Sequence, residues 1–157
     1  MKTLFWPRSV EPAVAANSAM RPRPSPEVYS DGELVTIPGV SFGKSDYTLL
    51  LVTQKSCRYC EQSMPFYKAL GDDRGIAKRT KIVLLAPDDE RTSWDELGKH
   101  GVRVDQVVRT SLGSLKISGT PTAIVVNRQG IVERALTGLL DEERQTQLLA
   151  ALRAPGI

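Results

Sequence analysis

The stretch Tyr47-Thr48-Leu49-Leu50-Leu51-Val52-Thr53-Gln54-Lys55-Ser56-Cys57-Arg58-Tyr59-Cys60 decides the architecture. Its first seven residues are a short, nearly continuous apolar run, which predicts a buried strand. Gln54-Lys55-Ser56 is a polar turn, and the apolar spacing of Met64, Phe66, Tyr67 and Leu70 predicts a helix from Cys57 to Gly71. Cys57 and Cys60 are the only two cysteines of the chain. Their spacing therefore places a possible disulfide switch at the start of a helix. Pro65, inside the helix, removes an N–H and is expected to kink it.

Working outward, Lys81-Ile82-Val83-Leu84-Leu85-Ala86 is a second apolar run, bounded by Lys81 and Pro87. It reads as a parallel strand buried on both faces, completing a β-α-β unit. Ser93-Trp94-Asp95-Glu96 has the capping-box pattern, so a short helix is expected from there to His100, stopped by Gly101. Val102 to Val108 suggests a short strand and Leu112 to Lys116 a helical turn. Thr122 to Val126 and Ile131 to Leu136 flank Asn127-Arg128-Gln129-Gly130, the pattern of a hairpin. Thr120-Pro121 opens the first of these strands, the one strand position where a missing N–H does no damage. Asp141 can cap a last helix through Leu148, Leu149 and Leu152. Ahead of the main strand, Leu34 to Ile37 and Val40 to Phe42 suggest a short strand or hairpin. The order predicts an α/β fold, a central mixed sheet with helices on both faces.

The chain has 157 residues, 41% of them hydrophobic, enough for one ordinary core. Five of the ten prolines fall at Pro7, Pro12, Pro22, Pro24 and Pro26. We therefore expect residues 1–28 to be an extended or disordered tail and residues 29–157 to be the domain. Phe5-Trp6 in that tail could pin it to the domain surface. No run reaches the length of a bilayer span, and no apolar segment of secretory type follows Met1-Lys2, which leaves little weight for the cleavage-like Ala13-Val14-Ala15. The formal charge of +3 comes from scattered Lys and Arg, which argues against nucleic-acid binding.

A disulfide at C-x-x-C spacing closes too small a loop to stabilise the fold much, so its presence calls for a chemical explanation. Structural zinc wants four ligands, and His100 is the only other soft donor, so no metal is expected at the cysteines. A cysteine in the first turn of a helix meets unpaired N–H groups and the positive end of the dipole, which stabilise its thiolate. Cys57 is thus the candidate nucleophile, with Lys55 and Arg58 beside it, and Cys60, one turn on, the candidate resolving thiol. Such a pair needs no cofactor. With C-x-x-C upstream, the Thr120–Pro121 bond is expected to be cis, exposing the Thr120 backbone to an extended substrate. Thr120 and Pro121, with Arg58 and Tyr59 inside the motif, are the candidate substrate-binding residues. Met64, Phe66 and Leu70 read as core, and His100 as a helix-end residue that caps carbonyls or faces water.

From about Tyr47 to Leu152 the chain resembles the thioredoxin-like thiol-disulfide oxidoreductases, closest to the TlpA and ResA type. The resemblance rests on Cys57-x-x-Cys60, Pro65, the extra helix around Trp94, Gly119-Thr120-Pro121-Thr122, and Gly130. It implies a reductase of protein disulfides outside the cytoplasm, fed by a membrane thiol-disulfide donor and acting on cysteine-containing proteins, with a cytoplasmic location as the alternative. There are departures. Ser56 stands where thioredoxins have tryptophan, Leu51 where they have a buried aspartate, and Ser63 where many ResA-like proteins have a glutamate. The usual proton acceptor for Cys60 is therefore absent. Glu61 is expected on another helix face, leaving water, Asp88 or Asp89 as weaker substitutes. Thr120 before the proline also leaves the direction of electron flow open, so a disulfide oxidase or isomerase is one rival. Another is a non-catalytic or copper-handling module of Sco type, disfavoured by the close cysteine spacing and the single histidine.

Overall fold

The computed structural model describes residues 28–155. The proline-rich segment before Val28, with Phe5-Trp6 and Ala13-Val14-Ala15, lies outside the described residues. Along the chain come β1 (Tyr47–Val52), α1 (Arg58–Asp72), α2 (Arg74–Arg79), β2 (Thr80–Ala86), α3 (Glu90–His100) and β3 (Gln106–Arg109). A 3-10 turn at Leu112–Ser114 follows, then β4 (Thr122–Asn127), β5 (Val132–Thr137) and α4 (Glu142–Arg153). The five strands form one mixed sheet in the order β3-β2-β1-β4-β5. β1 lies at its centre, parallel to β2 and antiparallel to β4.

Strand side chains alternate between two apolar layers, as the pleat requires. Leu49, Leu51, Ile82, Leu84, Ala123 and Val125 face one layer, where Met64, Tyr67 and Leu70 of α1, Ile76 of α2, Leu97 of α3 and Leu148 and Leu152 of α4 close over them. Leu50, Val52, Val83, Leu85, Ile124 and Val126 face the other layer. There the cover comes from Tyr29, Val35, Ile37, Leu112, Leu115 and Ile117. Among the described residues, helical cover on that side is thus reduced to the 3-10 turn. The intervening Thr110-Ser111-Leu112-Gly113-Ser114 and Ser118-Gly119 are too rich in Ser and Gly to sustain a longer helix.

Two local expectations change. Leu34 to Phe42 forms no hairpin. Leu34 makes one bridge with Ile131, and the Val35 N–H donates to the Gly130 carbonyl at 2.9 Å. Val35 and Ile37 of this segment are buried against the sheet, whereas Leu34 is exposed. α3 begins at Glu90 rather than near Ser93. Asp89 is its N-cap, accepting from the Thr92 N–H at 2.7 Å, while Ser93 is buried inside the helix. An aspartate one turn earlier outcompetes the capping box because its carboxylate reaches the same kind of free N–H. α1 continues through Pro65, which lies on its exposed side, so the lost N–H does not end the helix. Gly101, with φ of 69°, closes α3 in the left-handed conformation that glycine takes without strain.

Candidate active site

Strand register brings distant parts of the chain to one edge of the sheet. Val52, the last residue of β1, pairs with Thr122, the first of β4, and with Leu85 near the end of β2. The loops after β1 and β2 and before β4 must therefore converge at the carboxyl end of the central strand. This is the usual ligand edge of an open α/β sheet.

Cys57 is the N-cap of α1, in extended conformation, and its Sγ accepts the Cys60 N–H at 3.1 Å. Cys57 and Cys60 form a disulfide across a Cα separation of 5.2 Å. Cys57 is partly exposed, whereas Cys60 is buried, with 2% of its surface accessible. Attack from outside can thus reach only the first sulfur readily. Ser56, just before it, holds φ of 61°, a conformation a β-carbon disfavours. The turn is held by Asp88, whose Oδ2 accepts the Lys55 N–H at 2.8 Å. Arg58 and Tyr59 are exposed on the first turn of α1, Tyr59 at 52%.

Across the edge, the Thr120–Pro121 peptide bond is cis. The Thr120 carbonyl oxygen lies 3.7 Å from Cys57 Sγ, and the Thr120 hydroxyl points at the same sulfur at 3.5 Å. Two bonds anchor this loop: Thr122 Oγ1 donates to the Gly119 carbonyl at 2.6 Å, and the Gly138 N–H donates to the Pro121 carbonyl at 2.7 Å. Gln54, which sequence reasoning passed over as a turn residue, donates its Nε2 to Thr120 Oγ1 at 2.9 Å. With that oxygen already accepting, the threonine proton is free to face the sulfur. In the reduced form a Cys57 thiolate meets two donors, the Cys60 N–H and the Thr120 hydroxyl. Replacing Gln54 with leucine leaves the hydroxyl free to rotate, at a cost of about one ordinary hydrogen bond to the anion. We expect roughly a threefold fall in the iodoacetamide alkylation rate of reduced Cys57 near neutral pH. A rate equal to wild type would show that Gln54 does not orient Thr120.

Behind the disulfide, a cavity of about 220 Å³ is lined by Cys57, Cys60, Glu61, Asp88 and Glu96 among others. Glu61, exposed where Cys60 is buried, nevertheless lines the same cavity. The sequence predicts α3 but not where it packs; residues of α3 and of the first turn of α1 line this cavity together. The two aspartates after β2 have different tasks. Asp88 lines the cavity and holds the Lys55 amide, whereas Asp89 caps α3. The Thr92 N–H, then its hydroxyl, keep the Asp89 carboxyl below the usual carboxylate range, which makes it a poor proton acceptor. Ser63 is occupied structurally: its hydroxyl donates to the Tyr59 carbonyl at 2.7 Å and bonds Tyr67. Burial pushes the Tyr67 phenol up to about 12, with the Ser63 contact opposing the shift. Met64 and Leu70 are core, as expected, and Met64 also lines the cavity. Trp94 is 43% exposed and does not line it. His100 lies on α3 beside Glu96, its Nε2 3.4 Å from Glu96 Oε2.

A family model described as a thioredoxin-like domain matches residues 41–153. The chain belongs to the thioredoxin-like domain family. Within it, the C-x-x-C pair Cys57 and Cys60 is joined as a disulfide at the head of α1. Solved structures share the fold at low identity. A thiol:disulfide interchange protein from a Bacteroides species matches with a TM-score of 0.63 and 17% identity, covering 80% of this chain and 92% of that one. The thioredoxin domain of a thiol-disulfide oxidoreductase from Bacteroides vulgatus matches at 0.60 and 15%, covering 80% and 99%. StoA from Bacillus subtilis matches at 0.55 and 16%, covering 80% and 98%. No curated protein sequence matches the chain.

Proposed function

We propose that this thioredoxin-like oxidoreductase works as a reductase of protein disulfides outside the cytoplasm, with Cys57 as nucleophile and Cys60 as resolving thiol. The Cys57 thiolate attacks one sulfur of a substrate disulfide, forming a mixed disulfide and releasing the first substrate thiolate. Cys60, deprotonated, then attacks Cys57 Sγ. The Cys57–Cys60 disulfide forms and the second substrate thiolate leaves, so two electrons pass to the substrate and the enzyme pair ends oxidised. A thiol-disulfide donor at the membrane would return the pair to its reduced form. The proton of Cys60 would leave through the cavity, where water meets Glu61, Asp88 and Glu96.

The observation that carries this reading is the asymmetry of the two sulfurs. One is partly exposed, takes an N–H at the head of a helix and faces Thr120; the other is buried against a cavity. The Thr120 and Pro121 loop would pair with an extended substrate segment, while exposed Arg58 and Tyr59 would touch its flanks. The resemblance to TlpA- and ResA-like proteins supports the extracytoplasmic setting and the membrane donor. Among the described residues no helix is long and apolar enough to cross a membrane. We assign the domain to residues 29–157, a boundary supported by Tyr29, which is buried and whose N–H donates to the Lys116 carbonyl at 3.0 Å.

Trapping tests the assignment. Cys60→Ser removes the resolving thiol, so mixed disulfides on Cys57 should accumulate, visible on non-reducing gels and lost in the Cys57→Ser, Cys60→Ser double variant. If adducts form instead on Cys60 in Cys57→Ser alone, the roles are reversed. A reduction potential well above the roughly −270 mV of thioredoxin would mark an oxidase rather than a reductase.

A further inference from the structure

We propose that Glu61, Glu96 and His100 form a binding site for a divalent transition-metal ion of the Zn²⁺ or Co²⁺ class, on the wall of the cavity behind the disulfide. Glu96 and His100 are four residues apart on α3, so both project from the same face of the helix. Glu96 Oε2 and His100 Nε2 are 3.4 Å apart. In a tetrahedral zinc site with bonds near 2.0 to 2.1 Å, neighbouring ligand atoms are about 3.3 Å apart, so this pair already has the spacing of one edge. Glu61, from the first turn of α1, supplies a third donor, and one atom from each of the three residues lies within 4.8 Å of the others. Glu61 is exposed, which leaves its side chain free to change rotamer toward the other two.

The donor set selects the class of ion. One imidazole and two carboxylates suit zinc and its neighbours, whereas calcium and magnesium prefer all-oxygen shells. Three protein ligands leave a fourth position for water, as in open rather than purely structural zinc sites. Lys99 does not block the arrangement, because its Nζ contacts the other oxygen of Glu96, Oε1, at 3.4 Å and its side chain is 70% exposed. Placement gives the site its interest. Glu61 directly follows Cys60, and Glu61 and Glu96 line the same cavity as both cysteines. An ion bound here ties the first turn of α1 to α3 across that cavity. Its significance for the redox cycle rests on the reading proposed above, although the binding itself does not.

The oxidised protein is the form to test, since its disulfide offers no thiolate to compete for metal. Titration with Co²⁺ alone should give visible d–d bands that saturate at one ion per chain, and excess Co²⁺ should raise the melting temperature by mass action. His100→Ala and Glu96→Gln should each weaken the affinity at least tenfold and abolish the thermal shift. Glu61→Gln should weaken it less. Far-UV circular dichroism of each variant shows that the fold persists. Saturation absent up to about 100 μM Co²⁺, or binding unchanged in His100→Ala, overturns the site. Insulin reduction with a chelator present tests the dithiol separately, so failure of one reading is distinct from failure of the other.

Discussion

Cys57→Ser should abolish dithiothreitol-dependent insulin reduction, lowering the rate by about a thousandfold or more to the uncatalysed background. The expectation follows from position. Cys57 is the partly exposed sulfur, it caps α1, and the Cys60 N–H and the Thr120 hydroxyl aim at it. Cys60 is 2% exposed and cannot replace it as the attacking thiol without the first turn opening. A serine oxygen at the same place keeps the cap but is a far weaker nucleophile at neutral pH, so the fold should survive while the chemistry is lost. The measurement is turbidity of reduced insulin beside a thermal melt of the variant. Activity within tenfold of wild type, at unchanged stability, would remove Cys57 from the mechanism.

Leu51→Asp should have the largest effect on stability. This is the position at which thioredoxins carry a buried aspartate, yet here Leu51 is fully buried on β1, between Leu84 of β2 and Ala123 of β4 in the sheet. Its surroundings are the apolar layer closed by α1 to α4. Loss of leucine burial and confinement of a neutral carboxyl together should cost roughly 3 to 5 kcal/mol even in acid. The sign of the pH dependence is fixed by desolvation, which raises the folded-state pKa above the unfolded value of about 3.9. The folded chain then keeps a proton that the unfolded chain releases. Stability should fall as pH rises from about 3.9 toward the raised value and be lowest at neutral pH. Urea denaturation at pH 4 and pH 7 measures both parts. A loss below about 1 kcal/mol at both values would mean that this layer is not closed to water.

Much of the architecture was legible because it is written in short-range patterns. The run from Tyr47 to Val52 is buried at every position, and Asp141 and Gly101 bound their helices as their chemistry predicts. Expectations failed where a local signal competed with a distant partner. Ser93 has a capping pattern, but Asp89 caps first and Ser93 itself is buried within the helix. Leu34 to Phe42 has strand-like composition, but Leu34 bridges Ile131 and the Val35 N–H bonds the Gly130 carbonyl, about a hundred residues away in sequence. That Glu61 and Glu96 line one cavity was not legible, because a helical wheel of α1 alone does not say where α3 packs.

Sequence spacing alone put two thiols one turn apart at a helix start, since C-x-x-C after a buried strand needs only the geometry of one turn. It also marked Thr120-Pro121 as a strand opening. The meeting of these two signals belongs to tertiary structure. Antiparallel register between β1 and β4 carries Thr120 to Cys57 across 63 residues, and parallel register with β2 delivers Asp88 to the Lys55 amide. The bond from Gln54 to Thr120 and the convergence of Glu61, Glu96 and His100 likewise join side chains on different elements. No periodicity in a single segment encodes such contacts, because strand pairing and helix packing, rather than local propensity, set the distance between them.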